Sequence, residues 1–503
     1  MCFTRMRRNL LFAMAVAWLP MVALVGSVPA ATPASSYCVT DYGAVADGKT
    51  LDTAALQKAI DACAAGGGGT VYFPAGRYLT GTLFLRDRVT CHLEAGAVLL
   101  GSTDLKDYPP RTPEFRSYTD VNYVDKCLIY AEKVRDIAIV GRGVIDGQGG
   151  AQVFKRQPYK KRPYLIRMIE CRNVTVRDIT LRDSPMWVQH YLACENVHIN
   201  GITVHSLVNS NNDGIDIDCC DRVRIAHCDI VSGDDAIVLK STGPRPCRRV
   251  TITNCVLRSW CNALKCGTES TGGFEDITIS NCVVYDTGLS GIALELVDGG
   301  KFDRVLVTNI TMANTRGAIF VRLGNRARCY LSNRQGGSVG TSASGEGMTR
   351  PGIGTLRNVI ISNVIATGVD ETGCAIAGLP GHPVENITLQ NIRITYAGGS
   401  GQELVNQNVP EKENSYPEYK MFGKLPAYGF YCRHARNIRF DHVRLDCEKP
   451  EHRPALVCED VSGLQLDGFE AQAPVTGDTI RLIGVTNIRD RDDPEERTEQ
   501  TVP

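Results

Sequence analysis

Three aspartates carry residue types and spacing suited to acid–base chemistry. They are Asp213, in Asn211-Asn212-Asp213-Gly214, and the adjacent pair of Ser232-Gly233-Asp234-Asp235-Ala236. Carboxylates brought to one point raise one another's pKa, so such a group is favoured where it holds a cation or shares protons in catalysis. Inverting glycoside hydrolysis needs this equipment: a carboxylic acid on the leaving oxygen and a carboxylate base holding a water, set ~6.5–9.5 Å apart. A calcium site and local turn capping by aspartate are other uses of the same residues.

The segments after these aspartates align as strands. Gly214-Ile215-Asp216-Ile217-Asp218, Ala236-Ile237-Val238-Leu239-Lys240, Ala263-Leu264-Lys265-Cys266-Gly267, Gly291-Ile292-Ala293-Leu294-Glu295 and Ala318-Ile319-Phe320-Val321-Arg322 all have apolar second and fourth positions. Those two positions face inward, and the first, third and fifth face outward by the period-two rule. Asp213, Asp235 and Asn262 immediately precede the first three strands. One outer ladder therefore gathers the three aspartates with Asn211, Asn262, Lys240, Lys265, Glu269 and Arg322 as candidate substrate contacts. Salt bridges on a solvated face are the plainer use of its charged members.

A repeat stacks these strands. Polar residues followed by β-branched ones recur at Asn173, Asn196, Arg222, Arg249, Asp276, Arg304, Asn358, Asn386 and Asn437, mostly 23 to 28 residues apart by subtraction. The two double-length gaps, 304 to 358 and 386 to 437, read as one coil each with an inserted loop. Five places after each start stands Asp178, Gly201, His227, Asn254, Asn281, Asn309, Asn363, Asn391 or His442, and an earlier segment at Asp136 gives Gly141. All are types that tolerate a left-handed or tight bend. Strand, one-residue bend and strand make the corner of a coil. The reading is an all-β, single-stranded right-handed parallel β-helix with an N-terminal capping helix.

Cysteines keep the same register. Cys171, Cys194, Cys220 and Cys247 lie two residues before a start, and Cys228, Cys255 and Cys282 lie six after one. Later coils put Phe274, Phe302, Leu356, Ile310, Val364 and Ile392 there, so these thiols are expected to fill core, with disulfides between coils as the rival use. Cys219-Cys220 and Cys261 to Cys266 lack paired zinc-ligand spacing.

The 503 residues balance 55 Lys+Arg against 55 Asp+Glu, which gives no electrostatic case for nucleic acid or a membrane surface. Arg5, Arg7 and Arg8, an apolar run from Leu10 to Val25 and the small residues Gly26 to Ala30 read as a signal peptide over 1–30. The protein is thus expected to be exported, periplasmic or extracellular, without stable membrane insertion, and monomeric. Cleavage removes Cys2 and leaves an odd number of thiols. Residues 37–107 read as cap and first coils, with a helix over Asp52 to Ala65. Gly66 to Gly69 then leads into a strand, the wrong order for a phosphate loop. The solenoid is expected over 108–488 and a charged, disordered tail over 489–503.

The aspartate segments resemble the Asn-Thr-Asp and Gly-Asp-Asp signatures of the polygalacturonases, glycoside hydrolase family 28, in order and on adjacent coils. Asp41-Tyr42-Gly43-Ala44-Val45-Ala46-Asp47-Gly48 and Gly143-Val144-Ile145-Asp146-Gly147-Gln148-Gly149 extend the likeness over most of the chain. The resemblance implies a pectin-lyase-like solenoid acting on pectic polysaccharide by inversion, without metal or cofactor. Asp234 would be the general acid, and Asp213 and Asp235 would activate the water. Two signatures depart. The family's Gly-His-Gly falls on Cys261-Asn262-Ala263, and its Arg-Ile-Lys falls on Ala293-Leu294-Glu295. Lys265 and Arg322 are candidates to replace the missing cations. The insertion Ala327 to Thr355 is placed to wall one end of a cleft and so to favour attack at chain ends. Three classes stay open: a hydrolase of galacturonan or rhamnogalacturonan, a calcium-dependent lyase, and a non-catalytic glycan-binding solenoid.

Overall fold

The computed structural model describes residues 35–115, 117, 124–331 and 348–491; the expected signal peptide lies outside the described residues. Strands pair in parallel from coil to coil to form a parallel β-helix. One continuous apolar core runs up its axis from Val39 to Val485. Every bend residue named above, from Asp178 to His442 and including Gly141, has a positive φ. So do the repeat starts themselves, Asn173 (56°) through Asn437 (56°), so each coil turns at two left-handed corners.

Such a corner costs a residue other than glycine or asparagine roughly 1–2 kcal/mol. Side-chain amides offset it here by stacking. Asn196 donates to Asn173 Oδ1 at 2.8 Å, and Asn386 to Asn358 and Asn437 to Asn386 at 2.9 and 3.0 Å. Asn363 donates to Asn309 Oδ1 at 2.9 Å across the first double-length gap, which shows that gap to be one coil plus a loop. Gly463 and Asn487 continue the corner at coils the repeat count did not reach. Asn173, Asn309 and Asn386, whose sequences match glycosylation sequons, give their amides to this stacking.

The N-terminal helix α1 (Thr53–Ala65) buries Leu56, Ala59, Ile60 and Cys63, the i, i+3, i+4, i+7 face of an amphipathic cap. Asp52 does not cap it by side chain: its carboxylate accepts from Val45 N at 2.7 Å and Ala46 N at 3.0 Å instead. The glycine run leads into the strand Gly69–Phe73. At the far end the last strand, Ile480–Asp490, runs two residues into the segment expected to be tail; 492–503 lie outside the described residues. Every described cysteine is an unpaired thiol, most of them buried. Cys194 touches the thiols of Cys171 and Cys220 one coil to either side.

The outer ladder comprises β1 (Tyr164–Ile169), β2 (Gln189–Leu192), β3 (Ile215–Asp218), β4 (Ile237–Ser241), β5 (Leu264–Ser270), β6 (Gly273–Leu296) and β7 (Lys301–Leu323). Ile215 pairs Ile237, Ile237 pairs Leu264, Leu264 pairs Ile292 and Ile292 pairs Ile319, the register expected from the alignment. The ladder is not a solvated face. Two apolar clusters pack outside it, one around Tyr130, Tyr164 and Trp187, the other joining Phe320 and Tyr431 to Val409, Tyr419, Phe422 and Leu425. The second belongs to the loop 399–429 between the strands Val384–Gly398 and Phe430–Lys449.

Candidate active site

Asp213, Asp234 and Asp235 meet at the start of β3 and β4, each offering a carboxylate oxygen within 4.8 Å of the others. That is tighter than the ~6.5–9.5 Å expected from the spacing of inverting carboxylates. The cause is local: Asp213 and Asp235 sit one coil apart in register, and Asp234 adjoins Asp235 along the chain. Neighbouring glycines and asparagines fix the turns. Asn212, fully buried, donates to Ser184 O at 2.8 Å and Met186 O at 2.9 Å and accepts from Asn209 N. Asn209 in turn donates to Gly149 O at 2.7 Å, where a Cβ on Gly149 would stand 2.4 Å from Ser184 O. The segment Gly143 to Gly149 thus shores up the turn carrying Asp213.

The three carboxyls have different surroundings. Asp234 alone is half-buried. Burial and the neighbouring Asp235 charge push it above the ordinary carboxylate range. Asp235 is buried, and burial also pushes it upward, but Lys265, Lys240 and the Asn262 hydrogen bonds outweigh that and hold it below the ordinary range. Its Oδ1 accepts from Asn262 N (3.1 Å) and Nδ2 (2.8 Å), and its Oδ2 lies 3.2 Å from Lys265 Nζ. Asp213 is pushed well up by burial and by the charges of Asp216 and Asp234. Burial and mutual repulsion thus favour the protonated form of Asp234 and Asp213, while the two lysines and Asn262 favour the charged form of Asp235, the direction of division that acid–base catalysis uses.

Two ammonium groups balance the cluster. Lys240 Nζ lies 3.9 Å from Asp213, 3.6 Å from Asp216 and 3.6 Å from Glu269. Lys265 Nζ lies 3.7 Å from Glu295 and 3.8 Å from Glu418. Both lysines are buried, so these are enclosed pairs and not the solvated ladder contacts that the sequence allowed. Glu269 also meets Arg326 and Arg328. Asn262, expected to contact substrate, is fully buried behind Asp235 and orients it. Asn211 is a left-handed turn residue at φ 56° beside the buried Asn212. Arg322 is drawn away from the carboxylates: it is 2% exposed and donates to Gly378 O at 2.8 Å and Glu411 O at 2.7 Å. It anchors the loop 399–429, and its surroundings do not leave it as a replacement for the missing clamp.

That loop contributes residues the sequence did not signal. Glu418 faces Lys265, and burial pushes it up to about 7. Tyr416 receives Lys265 over its ring at 5.6 Å and Arg326 at 5.7 Å. Glu295 stands where a clamp cation was looked for, and burial pushes it up to about 8. The described wall of the site is thus 399–429; of the insertion expected there, 332–347 lie outside the described residues, and Arg326 and Arg328 at its start reach Glu269.

The family model for glycosyl hydrolases family 28 matches residues 63–415. The chain belongs to this family. A probable polygalacturonase of Vitis vinifera is 34% identical over 221 residues, 41% of this chain and 45% of that protein. An exo-poly-alpha-D-galacturonosidase of Dickeya chrysanthemi is 42% identical over 117 residues, 22% of this chain and 19% of that protein. The chain thus spans less than half the length of these curated relatives. Among solved structures, an exopolygalacturonase from Thermotoga maritima superposes with a TM-score of 0.61 at 21% identity, covering 82% of this chain and 92% of that one. At that identity the superposition speaks for the shared β-helix. The family 28 signatures at Asn211 to Gly214 and Ser232 to Ile237 lie inside the matched span.

Proposed function

We propose that this family 28 chain is an exported glycoside hydrolase that cleaves α-linked galacturonate-containing pectic polysaccharide or oligosaccharides by inversion, from chain ends. The observation that carries the reading is the division of charge between Asp234 and Asp235. Asp234, the accessible protonated carboxyl, donates to the glycosidic oxygen as the C–O bond breaks. A water held by Asp213 and Asp235 attacks the anomeric carbon, and its proton passes to Asp235. Lys240 and Lys265 keep that base ionised, while Asn262 orients it. Rhamnogalacturonan remains the neighbouring substrate class, because Glu295 replaces a cation of the family clamp. Enclosure of the ladder by 399–429 supports attack at chain ends. The proposal includes removal of 1–30 on export, a cap over 37–107, a catalytic solenoid over 108–488 and a monomeric protein. Among the described residues no helix is long and apolar enough to cross a membrane.

Carboxylate oxygens within 4.8 Å of one another also suit a second reading, retention through a covalent intermediate, whose carboxyls lie ~5–5.5 Å apart. Against it stands the resemblance of the Asn211 to Gly214 and Ser232 to Ile237 segments to family 28, which implies inversion. Proton NMR during digestion of polygalacturonate and rhamnogalacturonan oligosaccharides, with chelator present, separates the readings. Inversion releases the β-anomer first from an α-linked substrate. First release of the α-anomer would establish retention. A chelator-sensitive, ultraviolet-absorbing product would establish a lyase.

The pH profile of kcat/KM is expected to be a bell, its acid limb set by Asp235 and its alkaline limb by Asp234. Lys265→Met removes the nearest cation from Asp235 and raises its pKa, so the acid limb should move to higher pH with the alkaline limb moving less. An unmoved acid limb would remove Asp235 as the base.

A further inference from the structure

Beside the three carboxyls, toward the N-terminal coils, lies a second polar cluster that the acid–base steps do not use, apart from Lys240. Register stacks Arg167 on His190, His190 on Asp216, and Asp218 on Lys240. Two rings close around them: Tyr164 stacks on His190 at 5.5 Å, and Trp187 lies 5.2 Å from His190 and 5.5 Å from Tyr164. Arg167 lies over Tyr164 at 4.9 Å and Lys240 over Trp187 at 4.9 Å. Every member is more than nine-tenths buried.

Yet several of their polar atoms have no hydrogen-bond partner: Tyr164 Oη, Arg167 Nε, His190 Nδ1 and both carboxylate oxygens of Asp216. Buried polar groups are ordinarily satisfied, and a concentration of orphans in one place marks a site built for a polar ligand. Their chemistry defines that ligand. His190 Nε2 lies 3.3 Å from Asp218 Oδ2, which also accepts from Thr242 Oγ1 at 2.7 Å. The imidazole therefore directs its Nε2–H to Asp218 and offers Nδ1 as an acceptor for a hydroxyl. Arg167, Lys240 and the Tyr164 hydroxyl offer donors to an anion. A uronic acid residue presents these complements together: a carboxylate and hydroxyl donors.

We propose that Tyr164, Arg167, His190, Asp216 and Lys240 form a second sugar subsite, which takes the uronate adjoining the scissile bond on the side of the N-terminal coils. This deepens the reading above and rests on it. The cationic recognition of a uronate is thereby displaced from the family's Arg-Ile-Lys position, filled here by Ala293 and Glu295, to the opposite side of the carboxyls.

The test uses the full-length protein made inactive by Asp234→Asn, titrated calorimetrically with trigalacturonate and with the same trisaccharide reduced at its carboxylates to galactose. Arg167→Met should weaken trigalacturonate binding at least tenfold and change binding of the reduced trisaccharide less than twofold. Tyr164→Phe deletes only an unpartnered hydroxyl, so it should weaken trigalacturonate binding about fivefold without lowering the thermal midpoint. It keeps the test available if Arg167→Met fails to fold. Trigalacturonate binding that neither substitution alters, with the wild type still hydrolysing galacturonate oligosaccharides, would overturn the subsite and leave the function standing: the orphaned atoms would then bind water only. Absence of both binding and hydrolysis with every galacturonate would remove the function and the subsite together.

Discussion

Asp234→Asn should lower kcat roughly 10²–10⁴-fold on whichever pectic oligosaccharide the wild type cleaves, with little change in KM. The substitution removes the carboxyl proposed to protonate the leaving oxygen and keeps its shape. The fold should not notice. Asp234 Oδ1 accepts from Asp235 N at 3.0 Å, a bond the amide oxygen of asparagine retains, and the Ser232 and Ser259 hydroxyls bind the Asp234 backbone carbonyl. Initial rates and a thermal melt on the same preparation check both halves. Retention of more than a tenth of wild-type activity would take the acid role away from Asp234. Asp235→Asn differs in kind, because it also strips Lys265 of its closest counter-charge at 3.2 Å.

Arg453→Met carries the largest expected loss of stability, about 3–5 kcal/mol. Arg453 is fully buried and grips Glu451 with two bonds, Nε to Oε1 and Nη2 to Oε2, each 3.0 Å. Its Nη1 donates to Leu425 O at 2.8 Å and Ala427 O at 3.3 Å, at the end of the loop 399–429. The substitution leaves Glu451 buried without its counter-charge, held only by backbone N–H groups, and releases the loop from the coil beneath it. Lysine should not rescue it, since a single ammonium cannot reproduce the planar fork. Denaturant melts of the wild type and both variants give the answer; a Met variant within about 1 kcal/mol of the wild type would show that the backbone N–H groups of Ser400, His452 and residue 453 satisfy Glu451 without the guanidinium.

The corners made the fold legible in the sequence. A left-handed bend restricts residue type locally, so Asn254, Asn281 and Asn309 mark the coil independently of the strand pattern. Strict alternation then fixed the register, and Ile215 met Ile237 as the pattern required. The aspartates were legible for the same reason, since each holds a fixed offset from a strand. The cover was not. Residues 399–429 carry no period, so nothing marked Tyr416, Glu418 or the packing of Phe422. Burial of Lys240 and Lys265, and the diversion of Arg322 to Glu411 O, followed from that cover and were hidden with it. Asp216 was within reach: an aspartate at the third, outward position of the first aligned strand already stood out from Val238 and Ala293 beside it.

The unpaired thiols bear on how the molecule is born. Cys171, Cys194 and Cys220 fill successive coils in contact with their neighbours, and Cys228, Cys255 and Cys282 do the same at another register. Among the described residues no disulfide joins one coil to the next. In an unfinished chain, those stacked sulfurs are the nearest available partners for one another, and an oxidising compartment would join them out of order. Under the proposed export, each coil has to close over its sulfur before an oxidant reaches it.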